Sequence, residues 1–210
     1  WRDWSSDVCS SDLILDKCPV CTESEQPKRP GLGTTKRATK PHQGFSIDFG
    51  FAGQARKEDN EYDEFLGFNK EKAWVLITDH FTDYKWGKCF KSKAPPINYL
   101  RDFLTANCPG TDASLDRYVF MDQGGELYRS PKVLKLFQKR GFKVHPTGTD
   151  ASNQNGPVER GHQTVAKGIR ALLTGAALPA KFWTFAFHHT LRLCNAIPSR
   201  HKKQSPVMMV

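Results

Sequence analysis

Tyr118-Val119-Phe120-Met121-Asp122-Gln123-Gly124-Gly125-Glu126 runs from an unbroken apolar stretch into an acid and then a glycine pair. A continuous apolar run of this length marks a strand covered on both faces, as strands of α/β sheets are. Such sheets bind ligands beyond the carboxyl ends of their strands, where Asp122 sits. From these residues alone, Asp122 reads equally well as a site acid or as the acid of a turn before Gly124-Gly125.

Working outward from that strand, the upstream stretch Phe45-Ser46-Ile47-Asp48-Phe49-Gly50-Phe51 alternates with period two. Its apolar residues share one face, and Ser46, Asp48 and Gly50 share the other. Residues 73–78 and 84–90 read as two further strands around a tight turn. Ile97, Leu100, Phe103 and Leu104 have helical spacing after Pro95-Pro96. Downstream of Asp122, Ser130-Pro131 opens a helix with Val133, Leu134 and Phe137 inward, ended by Gly141, and residues 142–145 form a short strand. Residues 148–156 read as a turn-rich loop. Gly156 would then cap the next helix, with Pro157 as its first residue. In that helix Val158, Val165, Ile169 and Leu172 form a buried stripe. Glu159, Gln163 and Arg170 line another face with Lys167 beside them. A final helix over residues 179–196, carrying Phe182, Trp183, Phe185, Ala186, His189 and Leu193, reads as core or subunit interface. Three strands, then alternating helix and strand, then helices, give an α/β chain with a mixed sheet.

Each acid has an ordinary reading. Asp48 lies on a face that is usually solvated, and Glu159, third in a helix capped by Gly156, would sit where glutamate closes a capping box. His162 reads as a structural or solvated helix histidine that could also face a substrate. No Ser-His-Asp or Cys-His set competes as a nucleophile.

At 210 residues the chain can hold one ordinary domain with a short appendage. Lysine and arginine outnumber the acids 31 to 22, giving a net charge of +9, which points to a polyanionic partner rather than a pocket for a small acidic substrate. Six cysteines without dense regular spacing do not make a secreted disulfide framework. No apolar stretch of about 18 residues could span a membrane. The chain reads as intracellular and reduced, with no membrane partner and no small-molecule substrate.

The words around Asp48 and Asp122, and Gln154-Asn155-Gly156-Pro157-Val158-Glu159-Arg160, together resemble the Asp-Asp-Glu pattern of retroviral-type integrases, closest to the copia-type branch of long-terminal-repeat retrotransposons. Positions 123 to 158, 36 residues, separate the last two acids. The resemblance covers residues 44–210. It implies a ribonuclease H-like fold, a mixed sheet of about five strands with helices on both faces. It also implies DNA integration: a metal-dependent polynucleotidyl transferase joining element DNA 3′ ends to target DNA. Asp48, Asp122 and Glu159 would be the catalytic acids holding two Mg²⁺ or Mn²⁺ ions, because hard cations take oxygen ligands and concentrate positive charge on a phosphodiester. Asn153, Gln154, Asn155, Arg160, Gln163, Lys167 and Arg170 are the expected DNA contacts. The expected partners are DNA and further copies of the chain, and the expected location is the nucleus or a cytoplasmic virus-like particle. The chain departs from the family's usual words at Pro157, where a small aliphatic is expected, and around Asp48. The same acids also suit a ribonuclease H-like nuclease that cuts without joining, or a catalytically silent nucleic-acid-binding remnant.

Ahead of the core, Asp3 to Leu13 looks like the translation of a sequencing-adapter oligonucleotide, so residues 1–13 are set aside from fold reasoning. Residues 14–43 read as the remnant of a zinc module followed by a basic linker. Cys18 and Cys21, in C-x2-C spacing, are half of a tetrahedral zinc site, and the resemblance expects a pair of histidines upstream that this chain lacks. Zn²⁺ is therefore expected only where that missing module is present. Residues before Gly44 are expected to pack little against the core, and His42 to be solvated.

Overall fold

The structure is a computed structural model and describes residues 38–52, 66–110, 115–122, 125–147, 152–198 and 202–210, without the side chains of 152–157. All of these lie in Thr34–Val210, the second of the two units into which the chain divides. Cys18, Cys21 and the acidic stretch 56–64 fall outside the described residues.

Five strands form one sheet: β1 (Gly44–Phe51), β2 (Ala73–Asp79), β3 (Lys85–Phe90), β4 (Tyr118–Asp122) and β5 (Lys143–Thr147), in the order β3-β2-β1-β4-β5. β1 pairs antiparallel with β2, and β2 with β3. β1 to β4 and β4 to β5 are parallel. The helices are α1 (Ile97–Asn107), α2 (Pro131–Gln138), α3 (Ser152–Gly175), α4 (Trp183–Ala196) and the single turn α5 (Pro206–Met209).

Alternation along the strands sends residues to two separate cores. Phe45, Ile47, Phe49, Val75, Ile77, Val119 and Met121 pack with Leu100, Phe103 and Leu104 of α1 and Val133 and Phe137 of α2. On the opposite face, Trp74 and Leu76 pack with Val158, Val165 and Ile169 of α3 and Trp183, Phe187 and Leu191 of α4. This is the ribonuclease H-like mixed sheet with helices on both faces that the resemblance implied. The edge strand β3 is tied to α4 by Asn195, whose Oδ1 accepts from the Lys85 N–H and whose Nδ2 donates to the Lys85 carbonyl, both at 2.8 Å.

Two expectations, the start of α3 and the packing of the residues before Gly44, need correction. α3 begins at Ser152, not at a Gly156 cap, so residues 152–156 are helical rather than loop and Pro157 lies inside the helix. The tertiary packing of the Val158, Val165 and Ile169 stripe stabilises this helix beyond what local propensity predicts. Glu159 is therefore the eighth helical residue, too far in to close a capping box at the N-terminus. In α4 the buried residues are Trp183, Thr184, Ala186, Phe187, Thr190, Leu191 and Asn195, whereas Phe185 and Leu193 are exposed. Residues 38–43 also pack on the core. The Gln43 carbonyl accepts from the Tyr118 N–H, the His42 N–H donates to Asp79 Oδ1 at 3.0 Å, and the His42 ring lies 5.9 Å from that of Trp86.

Candidate functional site

Asp48 lies in β1 across from Leu76 of β2, on the sheet face that carries Trp74 and α3. The parallel pairing of β1 with β4 ends at Ile47 opposite Met121. One residue further along come Asp48 and Asp122, on neighbouring strands whose backbones run about 4.8 Å apart. Strand geometry alone thus sets these two acids side by side. After Asp122 the chain turns back, with the Gly125 N–H donating to the Asp122 carbonyl at 3.1 Å. That turn delivers Glu126 to the same place: Asp48, Asp122, Gly125, Glu126 and Lys93 line a pocket of about 350 Å³.

α3 crosses this face. Gly161 lets it approach, since a Cβ there would stand 2.9 Å from Leu76 Cδ2. Glu159, one turn of helix away from His162, is exposed, and so are Arg160, Gln163, Lys167 and Arg170. The backbone of Asn153, Gln154 and Asn155 forms the first turn of the helix, and their side chains are outside the described residues.

Burial raises the Asp48 carboxyl from an ordinary 3.8 to about 6. The Phe49 N–H, donating to Asp48 Oδ1 at 2.8 Å, opposes this, while the charges of Asp122, Glu159 and Glu126 push it further up. Asp48 therefore feels three further carboxylates at this point of the fold. Their hard oxygens suit a divalent cation such as Mg²⁺, which would relieve that crowding of negative charge. Among the described residues, however, no three His, Cys, Asp or Glu side chains converge closely enough to hold one ion as they stand.

Lys93, Glu126 and Trp74 were given no role at this site by the sequence, and His162 was read as structural, solvated or facing a substrate. Lys93 places its ammonium 4.1 Å from the centre of the Phe51 ring at the pocket rim. Glu126 had a local signal, an acid just past the turn that follows Asp122. His162 is neither solvated nor merely packed: its Nε2 lies 3.7 Å from Asp48 Oδ2, with its side chain 17% exposed, and burial lowers its pKa to about 4. The imidazole is thus neutral at pH 7. Trp74, which touches it, had no signal of its own; the signal was Gly50, a glycine inside a strand, which often marks a close approach.

No protein-family model matches the chain. By sequence it is similar to the retrovirus-related Pol polyprotein from transposon RE1 of Arabidopsis thaliana, 24% identical over 134 residues, 64% of this chain and 9% of that protein. It is also similar to that from transposon TNT 1-94 of Nicotiana tabacum, 28% identical over 136 residues, 65% of this chain and 10% of that protein. The match spans about a tenth of the length of these curated relatives. In three dimensions the chain is similar to the HTLV-2 integrase catalytic core domain in complex with magnesium, in a trimeric form, with TM-score 0.55, 16% identity, 82% of this chain and 99% of that one. A chain of the simian T-cell lymphotropic virus intasome, in complex with the PP2A regulatory subunit B56 gamma, gives TM-score 0.60 and 13% identity over 91% of this chain and 62% of that one. The relatives are Pol polyproteins of copia-type transposons and the structural neighbours include retroviral integrase catalytic cores, as the residues around the three acids suggested.

Proposed function

We propose that the chain is the catalytic core of a retrotransposon integrase, a metal-dependent polynucleotidyl transferase that joins the 3′ ends of element DNA to target DNA. The observation that carries this reading is the placement of Asp48 and Asp122 at matching positions of the paired strands β1 and β4, lining one pocket although they are 74 (122 − 48) positions apart in the sequence. Folding has no need to set two carboxylates side by side at one pocket; phosphodiester chemistry that recruits cations does.

Asp48, Asp122 and Glu159 would hold a pair of Mg²⁺ or Mn²⁺ ions, each ion taking one or two carboxylates. Bound there, the ions supply positive charge to the attacking and leaving oxygens of a phosphodiester. The chain's own part is placement. β1 and β4 set two acids side by side, and α3 would carry the third on a rigid rod. Arg160, Gln163, Lys167 and Arg170, exposed on the same helix, would hold the phosphate backbone, and Asn153, Gln154 and Asn155 at its start would meet the DNA end. The net charge of +9 favours such a polyanion. The likeness to a core solved with magnesium and to a chain of an intasome supports the cation and the DNA. Trimeric and dimeric forms of that core support a homo-oligomer here.

The reading extends to the rest of the chain. Residues 1–13 would be adapter translation, and 14–43 a zinc-module remnant and basic linker, in which Cys18 and Cys21 bind Zn²⁺ only when two further ligands precede them. The protein would act in the nucleus or in a cytoplasmic virus-like particle.

The test is a Mg²⁺-dependent strand-transfer assay on a terminal-repeat duplex, with Asp122→Asn as control. Joined product from the wild type alone supports the proposal. Cutting without joining makes the protein a nuclease, and binding without either makes it a silent remnant.

A further inference from the structure

Asp48 is approached from β2 and α3 by groups that the metal-dependent reaction does not itself require. Trp74 lies across from Gly50, two residues beyond Asp48 on the same face of the sheet. A Cβ at residue 50 would stand 2.2 Å from Trp74 Cε2 and 2.4 Å from its Nε1, so the indole occupies the space that a side chain would fill. From there Trp74 Nε1 donates to His162 Nδ1 at 3.1 Å. An indole nitrogen can only donate, so Nδ1 carries the lone pair and the ring proton of the neutral imidazole sits on Nε2. That Nε2 is buried, has no hydrogen-bond partner among the described residues, and lies 3.7 Å from Asp48 Oδ2. The other carboxylate oxygen, Oδ1, already accepts from the Phe49 N–H.

We infer that His162 is a positioning residue for Asp48: Trp74 fixes its tautomer, and its Nε2–H is aimed at Oδ2 to hold the carboxylate in its ligating orientation. This rests on the reading of Asp48 as a metal ligand. At 3.7 Å the contact is longer than a hydrogen bond, and a shift of about 0.8 Å brings it to ordinary N–H···O length. Buried donors without partners are rare in folded proteins, and this one stands 3.7 Å from a carboxylate oxygen. His162 follows Glu159 by three positions, so one side of α3 presents both an acid and the group that orients another acid. Partners of this kind hold a ligand's direction, and removing them weakens metal binding about 10–100-fold.

The experiment titrates Mn²⁺ into the 210-residue chain by calorimetry for the wild type, His162→Ala, His162→Gln and Trp74→Phe, with Asp48→Asn as reference and a melting curve for each. His162→Ala should weaken Mn²⁺ binding at least tenfold. His162→Gln, whose amide N–H can stand where Nε2–H stood, should recover most of the loss. Trp74→Phe, which keeps an aromatic ring and loses the N–H, should fall between, and its ¹⁵N histidine spectrum should change from a single Nε2–H tautomer to a mixture. An alanine variant that melts lower yet binds Mn²⁺ as tightly as the wild type overturns the inference, as does a wild-type spectrum with the proton on Nδ1. If Asp48→Asn binds Mn²⁺ as well as the wild type, the assignment of Asp48 as a ligand is what fails, whatever His162 does.

Discussion

Replacing Asp48 by asparagine should make the protein more stable at pH 8 in metal-free buffer, although the same change should abolish its chemistry. The folded carboxyl has its pKa raised from 3.8 to about 6, so the folded state holds this proton more tightly than the unfolded chain. Stability therefore falls as pH rises from about 4 to 6, and above 6 the fold carries a buried charge that the unfolded chain hydrates freely. Two pKa units correspond to about 3 kcal/mol at most. With the Asp48 side chain 31% exposed, solvent screening reduces this to about 1–2 kcal/mol. The asparagine amide would also face the Nε2–H of His162, donor against donor, which leaves a gain of about 1 kcal/mol. For a domain of this size that is a rise of about 2–4 °C in melting temperature. Differential scanning fluorimetry of both proteins in EDTA, from pH 4 to 8, gives the result. The difference should be largest above pH 6 and vanish near pH 4, and excess Mg²⁺ should reverse it by binding only the carboxylate form. An asparagine variant less stable than the wild type by a kilocalorie or more at pH 8 would mean that Asp48 is a structural acid.

Gly50→Ala places a methyl within about 2.2 Å of the Trp74 indole, and such overpacking should lower stability by about 1–3 kcal/mol; an unchanged melting curve would mean that the indole does not lie over Gly50. Asn195→Ala strands the N–H and carbonyl of Lys85 at the junction of β3 and α4, at about 1–3 kcal/mol for each group left unpaired, a loss readable by urea denaturation. Replacing Lys167 and Arg170 together by alanine should weaken DNA binding and reduce the slope of log affinity against log salt by about 0.9 for each phosphate no longer neutralised; an unaltered slope in fluorescence anisotropy would take these residues off the DNA.

The sheet was legible because its strands have different covers. β4, buried on both faces, wrote itself as an unbroken apolar run, and β1 as a strict alternation that put Asp48 on the opposite face from Phe45 and Phe49. The start of α3 was not legible. Gly156-Pro157 carries the local mark of a helix beginning, and only the packing of Val158, Val165 and Ile169 against the sheet, a long-range fact, carries the helix through a residue with no N–H. The inward side of α4 was hidden for a related reason: Phe185 and Leu193 are as apolar as Phe187 and Leu191, and only the position of β3 and α3 decides which pair is covered. At the candidate site, each of the three acids also carried an ordinary local reading, and only the resemblance tied them together. The relation of Trp74 to His162 spans 88 positions and left one trace, a glycine in the middle of a strand.

Glu159→Gln tests the claim that three acids act as one site most directly, read as joined product per bound complex in Mg²⁺ on a terminal-repeat duplex. The change removes a negative charge beside DNA, so binding should hold or tighten, while joining should disappear because a neutral amide is a poor Mg²⁺ ligand. Joining at the wild-type rate per complex, or loss of binding with catalysis intact, would make Glu159 a structural residue and contradict the account.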